Sequence, residues 1–578
     1  MRRATAGALL CVLASLPGAR TVTETQAATL TPQLAERMES LSPAESLPVL
    51  VFLKDRVDLS QFPRGRASAE LMIRALQAKA AQTQPALIRA VRNQGYSGDI
   101  QGFWIDNIVA LEATPTLVAE LAAREDIERI DYDAPGRGPD VERLATSEET
   151  QQRAPAWGVE IIRAPEVWDT YGLTGAGIVL GSLDTGFDPS HPALIGKWRA
   201  GSNSWIDLIG GAPAPYDDHG HGTHTIGSMV GGDGDGPLTP DIGVAYGARF
   251  IAAKVLDSNN SFCCASLVIN GAQWMLDPDG NPATPDFPHV INNSWYFFDP
   301  NYTAYYGSVA AWRAAGIIPI FCIGNEGPDP ATTRSPAHYD NCVGVGGTSS
   351  IDGAYFFTSR GPSPSGAVFP DDRRKPDISA PGNLVTSSVP GGGYEDWSGT
   401  SMAAPHVAGT IALMLEKASA MMLPAAKSPG TLGHLRGVAL TYDEILSILE
   451  SSAVDLGDTG YDHTYGYGRI DAFAAVSDVP SDVPDGESDP LRRVLVARPN
   501  PFGGQVAISW TTPLDSAVDE AAIFDPAGRQ VRTLQGTAEN PLVWNGRDDR
   551  GAQVSPGIYF VRVKTPSGVL TGSVTLVR

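Results

Sequence analysis

The hydrophobic positions of this chain follow three patterns in succession. Between residues 47 and 133, apolar strands and helical stretches follow the order strand, long helix, strand pair, helix, strand, which is typical of a ferredoxin-like α+β unit. Residues 155–476 alternate apolar strands with helical patterns, and this alternation predicts an α/β domain with a parallel sheet covered by helices on both faces. After residue 490 the period becomes two, with turn residues between the runs, which predicts a small all-β sandwich.

One apolar stretch of the central region, residues 402–415, is too long for a strand and predicts a buried helix. Ser401 stands directly before it, after the small residues Gly399 and Thr400. The free N–H groups at a helix N-terminus favour negative charge that develops nearby, so Ser401 is a candidate nucleophile. A serine in this position is more often only a helix cap, so the choice depends on its companions elsewhere in the chain.

Two other segments carry groups that could activate a serine hydroxyl. Asp184 ends the apolar strand 178–183, and a side chain at the carboxyl end of a parallel strand lines the ligand crevice of open α/β sheets; a turn or capping aspartate is the alternative. His219, His221 and His224 lack the spacing and the neighbouring Cys or Glu ligands of a zinc site. An imidazole oriented by a carboxylate is instead what activates a weak hydroxyl nucleophile.

Asn325 follows a hydrophobic strand and is either a turn residue or an amide donor to an oxyanion. The order Asp184, His221, Asn325, Ser401 agrees with the order of the triad in subtilisin, and the sequence resembles the subtilisin-like serine peptidases (subtilases). The resemblance covers about residues 155–476, and the blocks that carry it are Leu183-Asp-Thr-Gly186, His221-Gly-Thr-His224, Gly324-Asn325 and Gly399-Thr-Ser-Met-Ala-Ala-Pro-His406. Three further segments make it closest to the bacillopeptidase F-like subgroup: Tyr216-Asp-Asp-His-Gly-His-Gly-Thr-His-Thr225, Ile291-Asn-Asn-Ser-Trp295 and Lys375-Pro-Asp-Ile-Ser-Ala-Pro-Gly382.

The resemblance implies a role for each of these residues. Ser401 would be the nucleophile, His221 the general base and Asp184 the group that orients it, while Asn325 and the Ser401 N–H would form the oxyanion hole. The resemblance also implies substrate-binding segments that contain Ser294, Trp295, Tyr296, Ile323 and Gly324. The implied function is a serine endopeptidase that cleaves protein or peptide substrates through an acyl-enzyme, without a cofactor or metal in the chemistry. The alternatives are an acyl-transferring peptide ligase and an adhesion protein with a catalytically dead domain.

The sequence departs from the family pattern at several positions. Ala193 stands where many subtilases carry an Asp that ligates calcium, so a structural calcium would have to lie elsewhere. Tyr296 replaces a common Gly, which changes the expected shape of the substrate cleft. Arg334 lies either near the floor of the primary specificity pocket, where it would favour acidic side chains, or in solvent. Two acidic loops without a complete EF-hand pattern are interpreted as solvated turns; they contain Asp233, Asp235 and Asp241, and Asp277, Asp279 and Asn281.

The segments that flank the central region predict secretion and self-processing. Residues 1–28 have the basic, apolar and small-residue order of a secretory signal peptide. Residues 29–133 resemble the inhibitory propeptide that subtilases cut from themselves, and the polar residues 134–154 are interpreted as the processed linker, in which the sequence does not identify the cleaved bond. Residues 477–490 form an acidic, Pro-rich linker, and residues 491–578 resemble the Ig-like domain of flagellar hook-capping proteins. An extracellular or cell-surface location is expected.

Composition narrows the classes of partner. A chain of 578 residues is expected to form several domains. The net charge of −23 argues against nucleic acid or an anionic membrane as a partner, and no stretch after the N-terminus is apolar enough to cross a bilayer. Cys263, Cys264, Cys322 and Cys342 are compatible with disulfides or with buried thiols, and their spacing does not decide between the two.

Overall fold

The structure of this chain is a computed structural model. Two compact units divide the chain between Asp482 and Val483, which lies within the predicted linker. The predicted signal peptide, apart from Ala28, lies outside the described residues. No helix in the described part of the chain is long and apolar enough to cross a membrane. The structure describes residues 28–145, 155–234, 241–363, 374–420, 440–480, 495–498, 503–510, 520–525, 529–534, 542–565 and 568–576.

The N-terminal region has the predicted order of elements. They are β1 (Thr29–Leu30), α1 (Pro32–Glu39), β2 (Leu47–Leu53), α2 (Ala69–Asn93), β3 (Ile100–Phe103), β4 (Ile108–Ala113), α3 (Pro115–Ala122) and β5 (Ile127–Tyr132). The sheet order is β1-β5-β2-β4-β3, with β2 antiparallel to both neighbours. Helix α3 begins at a proline, and the Thr114 hydroxyl before it accepts a hydrogen bond from the Leu117 N–H at 3.3 Å, as expected for a capped first turn.

The central region alternates strands and helices. After β6 (Gly136–Arg137) and β7 (Glu142–Ala145), the strands are β8 (Val179–Asp184), β9 (Trp205–Asp207), β10 (Arg249–Lys254), β11 (Ser261–Phe262), β12 (Val290–Asn293), β13 (Tyr296–Phe297), β14 (Ile318–Cys322), β15 (Val343–Thr348), β16 (Ile378–Pro381), β17 (Val385–Val389) and β18 (Gly393–Ser398). The helices are α4 (Trp157–Ile161), α5 (Ala164–Tyr171), α6 (His221–Val230), α7 (Ala265–Leu276), α8 (Tyr306–Ala314), α9 (Thr400–Ala420), α10 (Tyr442–Ser452) and α11 (Ala472–Asp478).

The main sheet confirms the predicted α/β class. Its order is β16-β15-β14-β12-β8-β10-β9, and every neighbouring pair is parallel. Apolar side chains of α6, α9, α10 and α11 pack in one core, whereas those of α7 and α8 pack in another, as expected when helices cover both faces. Helix α9 is the predicted buried helix, and it begins at Thr400, so Ser401 lies in its first turn.

Residues 134–145, which the sequence analysis assigned to a polar linker, instead contain two strands of the central region. Strand β6 lies between β11 and β13 and is antiparallel to both, and β7 is antiparallel to β18. These strands are too short and too rich in Gly, Pro and charge to show a period. Their conformation is set by the strands against which they pair, so this part of the segment has regular structure, and its processing stays a prediction.

The N-terminal region and the central region share a hydrophobic core. Phe52, Ile73 and Leu76 of the N-terminal region are buried in the same cluster as Met275 and Trp312 of the central region. A shared core means that the two regions cannot separate without exposing apolar surface to water.

The C-terminal unit confirms the predicted β-sandwich. Strands β19 (Leu495–Arg498), β20 (Val506–Trp510) and β23 (Leu542–Trp544) form one sheet, and β21 (Glu520–Phe524), β22 (Gln530–Leu534), β24 (Gly557–Thr565) and β25 (Gly568–Leu576) form the other. Trp544 lies in the core between them, where its ring packs on Tyr559 with centroids 4.9 Å apart.

Candidate active site

Asp184 and His221 meet at the carboxyl edge of the main sheet. Asp184 is the last residue of β8, and His221 is the first residue of α6; both side chains are buried. Asp184 Oδ1 lies 2.7 Å from His221 Nδ1, and the same oxygen accepts a hydrogen bond from the Thr185 N–H at 2.7 Å. The other carboxylate oxygen accepts from the Thr225 hydroxyl at 3.2 Å. Since Asp184 accepts the Nδ1 proton, His221 Nε2 is left as a proton acceptor.

Ser401 lies on the neighbouring helix. Helices α6 and α9 pack against each other, and the Ser401 carbonyl accepts a hydrogen bond from the Ser294 hydroxyl at 3.0 Å. Ser401 Oγ and His221 Nε2 are both buried and both lack a hydrogen-bond partner. The structure therefore places the predicted nucleophile and base on adjoining elements, joins Asp184 to His221, and shows no hydrogen bond between His221 and Ser401.

The Asn325 amide is held by the first residue of α9. Its Oδ1 accepts hydrogen bonds from the Thr400 N–H at 3.0 Å and from the Thr400 hydroxyl at 2.9 Å. This fixes the amide so that its Nδ2 donates to the backbone carbonyl of Asp140 at 2.8 Å. An oriented amide on a peptide carbonyl is the type of donor that stabilises the oxyanion of acyl transfer.

The predicted substrate-binding segments divide into two groups. Tyr296 belongs to β13, which pairs with β6, and its partner there is Arg137. Gly324, with φ of 108°, lies next to Asn325; its N–H donates to the Thr400 hydroxyl at 3.3 Å, and its carbonyl accepts from the Ser359 N–H. Both backbone groups of Ile323 are likewise paired inside the domain, with Val345 and Arg334. Neither Gly324 nor Ile323 is therefore placed to pair with a substrate backbone.

Trp295 and Ser294 are buried residues that support the site. Trp295 is completely buried and packs edge to face on Phe262, Tyr305 and Phe321, so its ring is a core side chain. Ser294 is also buried, and its hydroxyl binds the Ser401 carbonyl.

Sequence reasoning missed the strand on the other side of the cleft. Strand β11, Ser261–Phe262, pairs with β6 opposite β13. The sequence feature that could have indicated a turn before this strand is Asn260, which has φ of 57°, a value that Asn tolerates better than most residues. A two-residue strand carries no periodicity, so pairing alone reveals its role.

Arg334 is not a free cation in the cleft. Its Nε lies 3.2 Å from Glu326 Oε2, and its guanidinium donates to the Phe298 carbonyl at 3.1 Å. Burial, together with the neighbouring Glu326, raises the pKa of the Tyr296 hydroxyl far above its usual value. Tyr296, Asn325 and Glu326 line a cavity of about 260 Å³ beside Asp140. The charge of Arg334 is already paired, which weakens the expectation that it selects acidic side chains.

The three histidines of the predicted catalytic segment have different surroundings. His219 lies 2.7 Å from the Arg143 guanidinium, and burial with the nearby His221 lowers the pKa of His219 to about 4. The ring of His224 stacks on Trp397 with centroids 4.6 Å apart, and burial lowers its pKa to about 3. Each ring thus has a separate partner.

The cysteines of the described residues form no disulfide and carry thiols; they are Cys263, Cys264, Cys322 and Cys342. Burial raises the pKa of the Cys322 thiol above its usual value, which disfavours the nucleophilic thiolate.

Comparison with known proteins places this site in a family. The Subtilase family matches residues 175–468, and the FlgD Ig-like domain matches residues 497–568. Bacillopeptidase F of Bacillus subtilis (strain 168) is 32% identical over 441 residues, which cover 71% of this chain and 28% of that protein. M-protease of Shouchella clausii (strain KSM-K16) is 30% identical over 64% of this chain and 82% of its own length. Subtilisin E of Bacillus subtilis (strain 168) is 31% identical over 58% of this chain and 74% of its own length. This chain therefore belongs to the subtilase family of serine endopeptidases.

Proposed function

We propose that this chain is a secreted serine endopeptidase, made as a zymogen, that hydrolyses protein substrates through an acyl-enzyme on Ser401. The observation that carries the proposal is the pair of contacts at the sheet edge, where Asp184 binds His221 Nδ1 at 2.7 Å and Asn325 donates to a peptide carbonyl at 2.8 Å. The family match supports the chemistry.

In the proposed reaction, each group carries one step. His221 Nε2 removes the Ser401 proton as Oγ attacks the substrate carbonyl, and Asp184 stabilises the resulting imidazolium. Asn325 Nδ2 and the N–H groups at the start of α9 hold the oxyanion. His221 then protonates the leaving amine, and water hydrolyses the acyl-enzyme by the reverse sequence of proton transfers. Catalytic hydrogen bonds are often incomplete before substrate binds, and the bond from Ser401 to His221 must form in this way.

The N-terminal region is proposed to be the inhibitor. The Arg66 guanidinium donates to the carbonyls of Phe287 and Pro288 of the central region, each at 2.8 Å. The Gln273 side-chain oxygen accepts from the Trp104 N–H at 2.7 Å. Together with the shared core and the strands β6 and β7, these contacts hold residues 136–145 across the cleft and keep other polypeptides out of it.

Covalent labelling tests this function. The secreted protein is expected to hydrolyse denatured casein, and a fluorophosphonate is expected to label Ser401 and abolish the activity. The Ser401→Ala variant should lose both label and activity, whereas Ser451→Ala, at an exposed position of α10, should keep both. Labelling of a different residue, or casein hydrolysis by Ser401→Ala, would refute the assignment.

A further inference from the structure

We propose that the enzyme cuts its own chain between Asp140 and Val141, so that the mature protein begins at Val141. The inference rests on the proposed function and specifies the bond on which the active site first acts. It is carried by the path of residues 136–145, which lie in the cleft as a bound substrate would.

On the N-terminal side of this bond, the chain is held between two strands. Strand β6 pairs with β11 and β13 in antiparallel register, and the Gly138 N–H donates to the Asn260 carbonyl at 2.8 Å. A Cβ on Gly136 would lie 2.4 Å from the Tyr296 carbonyl oxygen and 2.2 Å from the Phe262 ring. The slot therefore fits a glycine here, because any side chain would push two strands apart.

The carbonyl of Asp140 is the one that the Asn325 amide holds. The peptide bond joins the Asp140 carbonyl to the Val141 nitrogen, and the carbonyl oxygen accepts the hydrogen bond from Asn325 Nδ2 at 2.8 Å. An amide aimed at the position where an oxyanion develops marks the carbonyl carbon that is attacked. The bond that would break is the one from that carbon to the nitrogen of Val141.

On the C-terminal side, the chain pairs with the strand that leads to Ser401. Val141 lies beside Gly399, with its Cγ1 3.0 Å from the position that a Gly399 Cβ would occupy. From Glu142 onward, β7 is antiparallel to β18, with Glu142 opposite Ser398. Arg143 lies over the Trp397 ring at 4.1 Å. The backbone is thus fixed on both sides of one peptide bond at the N-terminus of α9.

The side chain of Asp140 contributes little to this placement. It is 83% exposed, and its carboxylate pairs with Arg137 of the same segment. The cut is therefore selected by backbone pairing and by Gly136, and not by an acidic residue at the bond.

The reaction is the one proposed above, run within one chain. Ser401 Oγ attacks the Asp140 carbonyl carbon while its proton passes to His221 Nε2. The bond to the Val141 nitrogen breaks as that nitrogen takes the proton, and Asp140 remains as an acyl ester. Water then releases the Asp140 carboxylate and restores the hydroxyl.

Mass spectrometry of the first processing products tests the proposal. A time course of the full chain should show an N-terminal fragment that ends at Asp140 and a larger fragment that begins at Val141. Ser401→Ala should stay uncut. Gly136→Val should slow the cut at least tenfold, whereas Gly504→Val, at an exposed position of the C-terminal unit where an added Cβ meets no atom within 4 Å, should change it less than threefold.

The other possible outcomes distinguish the proposed cleavage site from the proposed peptidase function. An active enzyme whose first cut lies elsewhere would overturn the assigned bond and leave the peptidase function standing. A cut at this bond in Ser401→Ala would show that another protease makes it. A chain that neither processes itself nor hydrolyses casein would refute the peptidase function itself.

A separate cluster of carboxylates points to a calcium site in the loop between α7 and β12. One oxygen from each of Asp277, Asp279 and Asp286 lies within 4.8 Å of the others. The relative exposure of Asp277 is 7%, and its Oδ1 has no hydrogen-bond partner. Oδ1 of Asp286 is also buried and also has no hydrogen-bond partner. Buried carboxylate oxygens without donors are costly, and a hard cation with oxygen ligands would satisfy them.

The neighbouring polar groups leave Oδ1 of Asp277 and Oδ1 of Asp286 available, while the two oxygens of Asp279 accept hydrogen bonds from the Asn281 N–H and the Thr284 hydroxyl, each at 2.8 Å. Gln77 of α2 donates to the second oxygen of Asp277 at 2.9 Å, and Asn203 donates to the second oxygen of Asp286 at 2.5 Å. Arg199 donates to the backbone carbonyls of Asn203 and Asp286, and no ion pair joins it to the three carboxylates among the described residues. The loop thus gathers three negative charges that no cation neutralises directly.

Calcium titration of the full-length Ser401→Ala chain, which cannot digest itself, tests this second site. Calorimetry should show a bound Ca²⁺ whose affinity falls at least tenfold in Asp279→Asn, an exposed position at which the variant is expected to fold. The control Asp169→Asn, also exposed, should bind as the parent does. Equal affinity in Asp279→Asn, or no binding by the parent, would overturn the site.

Discussion

Replacing Asp184 with Asn should cost catalysis through lost charge and not through a wrong histidine tautomer. Asp184 Oδ1 accepts from two donors, the Thr185 N–H and His221 Nδ1, each at 2.7 Å. The backbone donor cannot move, so the amide oxygen of Asp184→Asn should take this position. Its NH₂ group then faces the Thr225 hydroxyl, which can accept. His221 therefore keeps its Nδ1 proton, and Nε2 stays basic.

The size of the loss follows from the charge. The imidazolium formed in the transition state faces a neutral amide in place of an anion. For charge centres about 4 Å apart and an effective dielectric constant of about 20, the lost attraction is about 4 kcal/mol. This corresponds to a decrease of about a thousandfold in kcat. By comparison, Thr225→Val removes only a neutral donor to the far oxygen, which is worth about 1 kcal/mol, and should cost less than tenfold.

The assay must not depend on self-cleavage. Co-expression of residues 1–140 and 141–578 as two chains supplies each variant with a cut already made. The value of kcat is then measured on a peptide substrate after the chain of residues 1–140 has been separated from the enzyme, with Ser401→Ala as the background. A loss of less than tenfold in Asp184→Asn would refute the role of the carboxylate. A loss equal to that of Ser401→Ala would refute the argument from the Thr185 N–H, because it would mean that the base is gone.

Three further predictions concern the regions around the site. Arg66→Ala should shorten the lag before casein hydrolysis about tenfold or more, since it removes three hydrogen bonds to the central region; Arg74→Ala, at an exposed position that pairs only within α2, should leave the lag unchanged. Trp544→Ala should lower the stability of the C-terminal unit by about 3–5 kcal/mol in calorimetry, and an unchanged unfolding transition of this unit would contradict the packing role of the ring. Burial lowers the pKa of His406 to about 4 in the folded state, whereas the usual value of about 6.5 applies in the unfolded state. As the pH falls below about 6.5, the unfolded state therefore binds a proton at His406 before the folded state does. Stability is then lost on acidification, and His406→Gln should flatten the slope between pH 6 and 4 by up to about 1.4 kcal/mol per unit; an unchanged slope in denaturant unfolding would exclude His406 as a cause.

The sequence predicted the parts of the molecule that local pattern determines. Asp184 ends an apolar strand and Ser401 begins an apolar helix, so their positions at the sheet edge follow from period and length. Residues 136–140 have no such pattern, because their conformation is imposed by β11 and β13. The ion pair that neutralises Arg334 also escaped prediction, since its partner Glu326 is brought close by a turn and not by helical or strand spacing. The proximity of Asp286 to Asp277 escaped prediction for the same reason, because a loop and not a regular spacing brings the two carboxylates together.

If the Asp140–Val141 bond is cut as proposed, the contacts that hold it also explain why the cut need not release the N-terminal region, the proposed inhibitor. After the cut, β6 keeps its pairing with β11 and β13, and the new Asp140 carboxylate remains opposite the Asn325 donor. The shared core that contains Phe52 and Leu76 is unaffected by the loss of one peptide bond. Release requires that these apolar side chains enter water, at about 25 cal/mol for each Å² exposed. The slow step of activation is therefore expected to be dissociation, which is why Arg66, remote from the bond, should control the lag.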